Sequence, residues 1–223
     1  MMRQHSWAAK MIIYGSSVSP FVRKVVVFAA EKGLEYKVKG VELYSQDPDF
    51  RAASPFGKMP ALRDGDYTLA DSSAIVAYME ALKPAPELIP AEPRARGKVI
   101  WWDEFADTIF FAAGAKVFFN RVVSPRFLGR PGDDALADQT ATVELPPLYA
   151  FIESSLPVSG WLVADQLTLA DISVVSVFAN MRYAGCPPDL VTYPKLNVFV
   201  DKMFARPSFA RCLEREANVF ART

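Results

Sequence analysis

Short apolar runs separated by Gly, Pro and Ser predict that the chain opens with an α/β arrangement. Met11 to Gly15 is an apolar run that ends in Gly and Ser, which is typical of a buried strand. A helix is expected next. Ser19 is a favourable N-cap, Pro20 suits the first helical position, and Gly33 suits the C-terminal cap. This stretch therefore predicts a strand followed by a helix.

Further elements follow with similar patterning. EYKVKGVEL predicts a second strand, and SQDPDFRAAS predicts a short helix or a loop. PALRDGDYTLAD predicts two strands joined by a tight turn at DGD, and DSSAIVAYMEALK predicts a helix that begins at Asp71 or Ser72. The predicted order is β-α-β-α-β-β-α. The first two strands then need a right-handed crossover, and the last two form an antiparallel hairpin.

The pattern changes after KPAPELIPAEP, whose four prolines in eleven residues indicate a linker. From Arg94 onward we expect a long helix bent at Gly114 and a second helix broken or kinked at Pro146-Pro147. A third, very apolar and therefore central helix and two more helices follow. The predicted fold class is a small α/β domain followed by an all-helical domain. The expected boundaries are a disordered leader at 1–10, the first domain at 11–85, a proline-rich linker at 86–93 and the helical domain at 94–223.

Composition and charge narrow the range of functions. Lys plus Arg and Asp plus Glu both number 25, so the charge does not suggest a nucleic-acid partner or a membrane surface, and no apolar run is long enough to cross a bilayer. The one histidine, His5, lies in the leader, which argues against Ser-His-Asp and Cys-His catalysis and against a zinc site. The two cysteines, Cys186 and Cys212, predict reduced thiols in a cytoplasmic protein.

Three groups of residues in the first domain could together bind a peptide-like ligand. The turn before Pro20 carries three serines at a helix N-terminus. Pro60 in SPFGKMPAL indicates a cis bond in a tight turn, which would leave the N–H and C=O of Met59 free to pair with an extended peptide. LADSSAI places a carboxylate and two hydroxyls at another helix N-terminus, where carboxylates also bind. The three groups would provide a site for a reactive group, a site that pairs with a peptide backbone and a site for an anionic end.

GKMPAL, ADSSAI and LTLADISV, in this order and at this spacing, resemble motifs of the glutathione transferase family. The resemblance extends over both domains from Met11 onward. It implies a thioredoxin-like N-terminal domain, an all-helical C-terminal domain, glutathione as co-substrate without a metal, and a homodimer. The implied reaction is transfer of the glutathione thiolate to a small apolar electrophile. The alternative is a non-catalytic member of the fold that binds ligands or partner proteins.

The resemblance also implies how the thiol is activated. In serine-type members of the family, such as the tau and zeta classes, the activating serine lies just after the first strand, and Ser19-Pro20-Phe21 is similar to the tau-like Ser-Pro-Phe. Ser17 stays open as an alternative donor. Tyr14 stays open as well, because tyrosine-type classes use a phenol at the end of this strand. No cysteine lies in this region, which argues against thiol–disulfide exchange.

The glutathione-binding residues carry over by the same resemblance. Lys58 would bind the glycyl carboxylate, and the backbone of Met59 would pair with the cysteinyl unit. Asp71 would meet the γ-glutamyl ammonium group, and Ser72 would meet the γ-glutamyl carboxylate. The full expected set is Phe21, Lys58, Met59, Pro60, Asp71 and Ser72.

The electrophile is expected beside the long helix of the second domain. Trp101, Phe105 and Thr108 share one face at 3.6-residue spacing and could line an apolar cleft. The competing interpretation is that the aromatic residues belong to the domain core or a dimer interface. Thr168 and Asp171 fit an N-cap pair, so LTLADISV is expected to have a structural role.

Overall fold

The computed structural model describes residues 11–222, and its contacts divide the chain into two compact units with the boundary between Pro86 and Glu87. The expected disordered leader and His5 lie outside the described residues.

A four-stranded sheet forms the centre of the first unit. Its spatial order is β2-β1-β3-β4, with β1 parallel to β2, β1 antiparallel to β3, and β3 antiparallel to β4. The predicted parallel pairing of the first two strands and the predicted antiparallel hairpin are therefore confirmed. The strands are β1 (Met11–Tyr14), β2 (Lys37–Lys39), β3 (Ala61–Asp64) and β4 (Tyr67–Ala70).

The second strand is shorter than EYKVKGVEL predicts. It pairs with β1 alone, and this pairing covers Lys37 to Lys39 opposite Ile12 to Tyr14. The amide of Gly15 still donates to the Lys39 carbonyl at 3.0 Å, but the chain turns away at Gly15 and offers no further strand partner. The length of β1 therefore limits the length of β2.

Three helices complete the first unit: α1 (Pro20–Glu31), α2 (Pro48–Ala53) and α3 (Ser72–Leu82). The predicted α2 helix forms, and Asp47 caps it by accepting the Phe50 amide at 3.0 Å. Beyond the end of α1, the fully buried Lys32 pairs with Glu80 of α3 at 2.7 Å and donates to the Pro84 carbonyl at 3.0 Å. These bonds compensate the buried charge and join the ends of the two helices.

The second unit is helical, as predicted. Helices α4 (Pro93–Glu104) and α5 (Phe111–Phe118) form one continuous helical run with π-helical turns at Phe105–Phe110 and Phe119–Phe127. Gly114 lies in regular α5, so the departures from α geometry lie on either side of it. A Cβ at Gly114 would lie 3.0 Å from Cε of Met181, so this glycine allows close packing against a neighbouring helix.

The remaining helices are α6 (Asp134–Gln139), α7 (Leu145–Ser155), α8 (Leu169–Tyr183), α9 (Pro194–Phe204) and α10 (Pro207–Phe220), with a third π-helical segment at Thr140–Glu144. The expected interruption at Pro146-Pro147 falls in the first turn of α7, a position that proline tolerates. No helix among residues 11–222 is both long and apolar enough to cross a membrane.

Helix α8 is central, as its sequence predicts, because every residue from Leu169 to Met181 is buried. Its predicted N-cap pair is confirmed: Oδ2 of Asp171 accepts the Thr168 amide at 2.8 Å and the Thr168 hydroxyl at 3.0 Å. Oδ1 accepts the Leu162 amide at 2.9 Å. Burial raises the pKa of Asp171 to about 6, although these hydrogen bonds favour its ionised form.

Candidate functional site

Three segments of the first unit meet at the same end of the sheet, where β1 and β4 end and β3 begins. Tyr14 at the end of β1 lies opposite Ala61 at the start of β3, and Ala61 lies opposite Ala70 at the end of β4. Residues 15–19, 54–60 and 71–72 therefore lie together, and we call them the site edge. Two strand spacings of about 4.8 Å separate β1 from β4, so the edge is about 10 Å wide, the length of an extended tripeptide.

Ser19 is the N-cap residue of α1, with extended backbone angles, and its hydroxyl makes no capping hydrogen bond. Ser16 forms the turn that precedes it: its carbonyl accepts the Ser19 amide at 2.9 Å, and its hydroxyl accepts the Val18 amide at 3.4 Å. Ser16 therefore stabilises the turn. The half-buried Ser19 lies at the N-terminus of α1, the end of a helix toward which its backbone N–H groups point.

The other two candidate donors have different surroundings. Tyr14 is only 1% exposed and packs in a core cluster, with its ring centroid 6.2 Å from that of Phe50. Ser17 is half-buried in the turn. Phe21 is half-buried in the first turn of α1, two residues after Ser19.

Met59 lies against the serine turn. A Cβ at Gly15 would lie 2.5 Å from Cγ2 of Val22 and 3.3 Å from Cβ of Met59, and Gly15 has a φ of +141°, so a larger residue would not fit there. The Met59–Pro60 bond is cis, as predicted. The N–H and C=O of Met59 make no hydrogen bond to the described residues, and the adjacent Lys58 is exposed.

The turn before Met59 is held by several hydrogen bonds. The Ser54 hydroxyl donates to the Lys58 carbonyl at 2.6 Å, and the Gly57 amide donates to the Ser54 carbonyl at 2.9 Å. Arg51 of α2 donates to the Pro55 carbonyl at 3.3 Å. Gly57 has a φ of +65°, and a Cβ there would collide with the Arg51 guanidinium group. Sequence reasoning assigned no role to Ser54.

Asp71 follows β4 and caps α3. Its Oδ1 accepts the amides of Ser73 at 2.9 Å and Ala74 at 3.0 Å, and its Oδ2 makes no hydrogen bond to the described residues. Its φ of 79° and ψ of 130° are unfavourable for a residue other than glycine, and strain of this kind often occurs at functional sites. The neighbouring Ser72 is buried at the first position of α3.

In the second unit, the three residues predicted for the electrophile differ in exposure. Trp101 is 46% exposed and stacks on Phe105 with ring centroids 5.7 Å apart. Phe105 is only 5% exposed, because Trp102 and Phe151 also pack against it. Thr108 is exposed, and its hydroxyl donates to a carbonyl one turn earlier. Trp101 and Phe105 lie on one face, since their rings stack, and π-helical geometry begins at Phe105, before Thr108.

Other chemistry is limited in the described part of the chain. No group of three or more His, Cys, Asp or Glu side chains within residues 11–222 could hold a metal ion. Cys186 and Cys212 belong to the second unit, and neither forms a disulfide with a described residue. Burial raises the pKa of Cys186 to about 11, so its thiol is protonated at neutral pH.

Comparisons with known proteins match both units. The glutathione S-transferase N-terminal domain family matches residues 13–87, and the C-terminal domain family matches residues 129–216. Glutathione S-transferase 3 of Zea mays is 32% identical, over 91% of this chain and 93% of that protein.

Solved structures agree with these matches. A glutathione S-transferase from Rhodospirillum rubrum is 26% identical with a TM-score of 0.83, and the match covers 91% of each chain. Glutathione S-transferase I bound with lactoylglutathione is 26% identical with a TM-score of 0.81, covering 91% of this chain and 98% of that one.

Proposed function

The chain belongs to the glutathione S-transferase family, and we propose on that basis that its site edge binds glutathione and activates the thiol for transfer to a small apolar electrophile. The single observation that carries the proposal is the register of β1, β3 and β4. It brings Ser19, the Met59 backbone and the Asp71 carboxylate to the site edge, which is about as long as a tripeptide. Glutathione is then a co-substrate, and the proposed chemistry uses no metal.

Ser19 is the proposed activating residue. A free thiol has a pKa near 8.5, so only a few per cent is ionised at about pH 7. Lowering this pKa by about two requires ~2.7 kcal/mol of preferential stabilisation of the thiolate. A hydroxyl hydrogen bond and the N-terminus of α1 can together supply it, and the Ser19 hydroxyl donates to no acceptor among the described residues, so it can donate to the thiolate. Ser17 is the second candidate, and the core packing of Tyr14 makes it the weakest of the three.

Glutathione itself would lie across the three segments of the site edge. The N–H and C=O of Met59 would pair with the cysteinyl unit like an added strand. Oδ2 of Asp71 would accept from the γ-glutamyl ammonium group, while Ser72, at the start of α3, would bind the γ-glutamyl carboxylate. The exposed Lys58 would reach the glycyl carboxylate. Phe21 and Pro60 would complete the binding surface.

The electrophile is proposed to contact the exposed members of the predicted set, Trp101 and Thr108. The buried Phe105 would not contact the electrophile, but its ring stacks on the indole ring of Trp101 and would hold that ring in position. An exposed tryptophan favours apolar and aromatic partners.

We further propose that the protein is a cytoplasmic homodimer. Large apolar side chains are exposed on both units, including Phe56 in the first at 89% and Ile109 in the second at 53%. A twofold interface would bury such surfaces on both chains at once. Free thiols are typical of the cytoplasm, which supports that location.

The experiment that tests activation compares Ser19→Ala with Ser17→Ala and Tyr14→Phe in the conjugation of a chloronitroaromatic substrate. A hydrogen bond to a charged group contributes about 1.5–3 kcal/mol, so Ser19→Ala should lower kcat at about pH 7 by roughly 10- to 150-fold while KM for glutathione changes a few-fold at most. The loss should shrink at alkaline pH, where the thiol ionises unaided. A mild effect of Ser19→Ala beside a large effect of either control would reassign the activating hydroxyl.

A further inference from the structure

We propose that Ser54 is a positioning residue for glutathione, because its buried hydroxyl fixes the Lys58–Met59 peptide with the Met59 N–H directed toward the ligand. The inference rests on the proposed binding of glutathione at Met59. Ser54 does not need to touch the ligand, since it acts through the peptide that does.

The surroundings of Ser54 hold it in one place. It is 1% exposed and ends α2, where its amide donates to the Phe50 carbonyl at 2.8 Å. Its own carbonyl accepts the Gly57 amide at 2.9 Å. With its backbone bonded on both sides, its hydroxyl donates to the Lys58 carbonyl at 2.6 Å, within the range of a well-formed O–H···O bond. The hydroxyl is therefore a fixed donor.

The geometry of the peptide bond transmits this constraint to Met59. The cis bonds among the described residues precede Pro60 and Pro86, so the Lys58–Met59 peptide is trans. In a planar trans peptide the C=O and N–H point in opposite directions. Ser54 holds the carbonyl oxygen from the buried side, so the Met59 N–H points away from the interior. That N–H has no hydrogen-bond partner among the described residues, as expected for a donor that binds a ligand.

Removal of the hydroxyl would free the peptide to rotate. A Lys58 carbonyl that has lost its donor favours orientations that recover a hydrogen bond, and these turn the Met59 N–H away from the ligand. If about a tenth of the molecules kept the competent orientation, the apparent affinity would fall about tenfold. Ser19 lies on another segment, so the chemical step with bound glutathione should change little.

The test measures the dissociation constant of S-methylglutathione by calorimetry, together with KM and kcat for glutathione, in wild-type protein and three variants. Ser54→Ala should weaken binding and raise KM about tenfold with kcat within about twofold. Ser54→Thr keeps a hydroxyl and should restore most of the affinity. Asp47→Ala is the matched control. It removes the cap at the other end of α2, and should leave affinity within about twofold.

Equal binding by Ser54→Ala and wild-type protein would overturn the inference, and so would an equal loss in Asp47→Ala, which would indicate general loosening of α2. If wild-type protein does not bind S-methylglutathione, the proposed function fails, and this inference fails with it. If Ser54→Ala does not fold, the inference is tested by hydrogen exchange of the Met59 amide in the wild-type protein. This exchange should be fast in the free protein and slow with S-methylglutathione bound, and unchanged exchange would overturn the inference.

Discussion

Asp71 combines two roles that a pair of substitutions can separate. One carboxylate oxygen caps α3 through the Ser73 and Ala74 amides, and the other has no hydrogen bond to residues 11–222 and could accept from the proposed ammonium group. Asp71→Asn keeps an oxygen for the cap and suits a positive φ, but it removes the charge. Asp71→Ala removes the cap and the charge together, and places an unsuited residue at a φ of 79°.

The expected magnitudes follow from these contacts. Loss of the cap costs about 1 kcal/mol, and alanine at this φ adds about 1 kcal/mol of strain, so Asp71→Ala should lower the free energy of unfolding by ~2 kcal/mol. Asp71→Asn should lower it by less than about 1 kcal/mol, mainly by weakening the interaction with the α3 dipole. A charged hydrogen bond contributes about 1.5–3 kcal/mol to binding, and we take the lower end because Asp71 is exposed. Both variants should therefore bind S-methylglutathione about tenfold more weakly than wild-type protein.

Calorimetry with a second ligand tests the assignment of the charge. Deamino-S-methylglutathione lacks the γ-glutamyl amine, so wild-type protein should bind it about tenfold more weakly than S-methylglutathione, while Asp71→Asn should bind it as wild-type protein does. Denaturant unfolding measures the stability of each variant in parallel. The reasoning is refuted if Asp71→Asn keeps full affinity for S-methylglutathione, or if it loses as much affinity for the deamino ligand as for the parent.

Two further predictions concern assembly and stability. Light scattering after size exclusion at micromolar concentration should give twice the 24.7 kDa of one chain, and a mass near 24.7 kDa would contradict the dimer. Burial raises the pKa of Asp171 to about 6, so the folded protein binds the carboxyl proton more tightly than the unfolded chain does. The free energy of unfolding therefore falls as the pH rises toward and through that value. The free energy of unfolding of wild-type protein, relative to Asp171→Asn, should fall by about 2 kcal/mol between about pH 4 and pH 7, and a constant difference would show that Asp171 is not perturbed.

Local patterns predicted most of the fold, because they depend on neighbouring residues. The alternation of apolar runs and breaks predicted the order of strands and helices, and Thr168 with Asp171 predicted the cap of α8. The length of β2 was overestimated, because it depends on where its partner β1 ends. The π-helical turns of the long helix have no local signature, so the sequence did not predict the change of helical geometry between Phe105 and Thr108.

The site was predictable to the extent that its motifs are local. The sequence places Ser19, Met59 and Asp71 next to strand ends, and the strand order then brings them to one edge. Ser54 has no local signal, because its hydroxyl meets the Lys58 carbonyl only after the chain has folded back through the turn at Gly57. The double role of Asp71 likewise needs coordinates, since the sequence alone does not show which carboxylate oxygen is occupied.

Titration of the thiol of glutathione bound to the wild-type protein tests the central claim most directly. The ultraviolet absorbance of the thiolate can be followed against pH with glutathione at saturating concentration. The account predicts an apparent pKa about two below the value near 8.5 of a free thiol. Bound glutathione whose thiol titrates at the free value would contradict it.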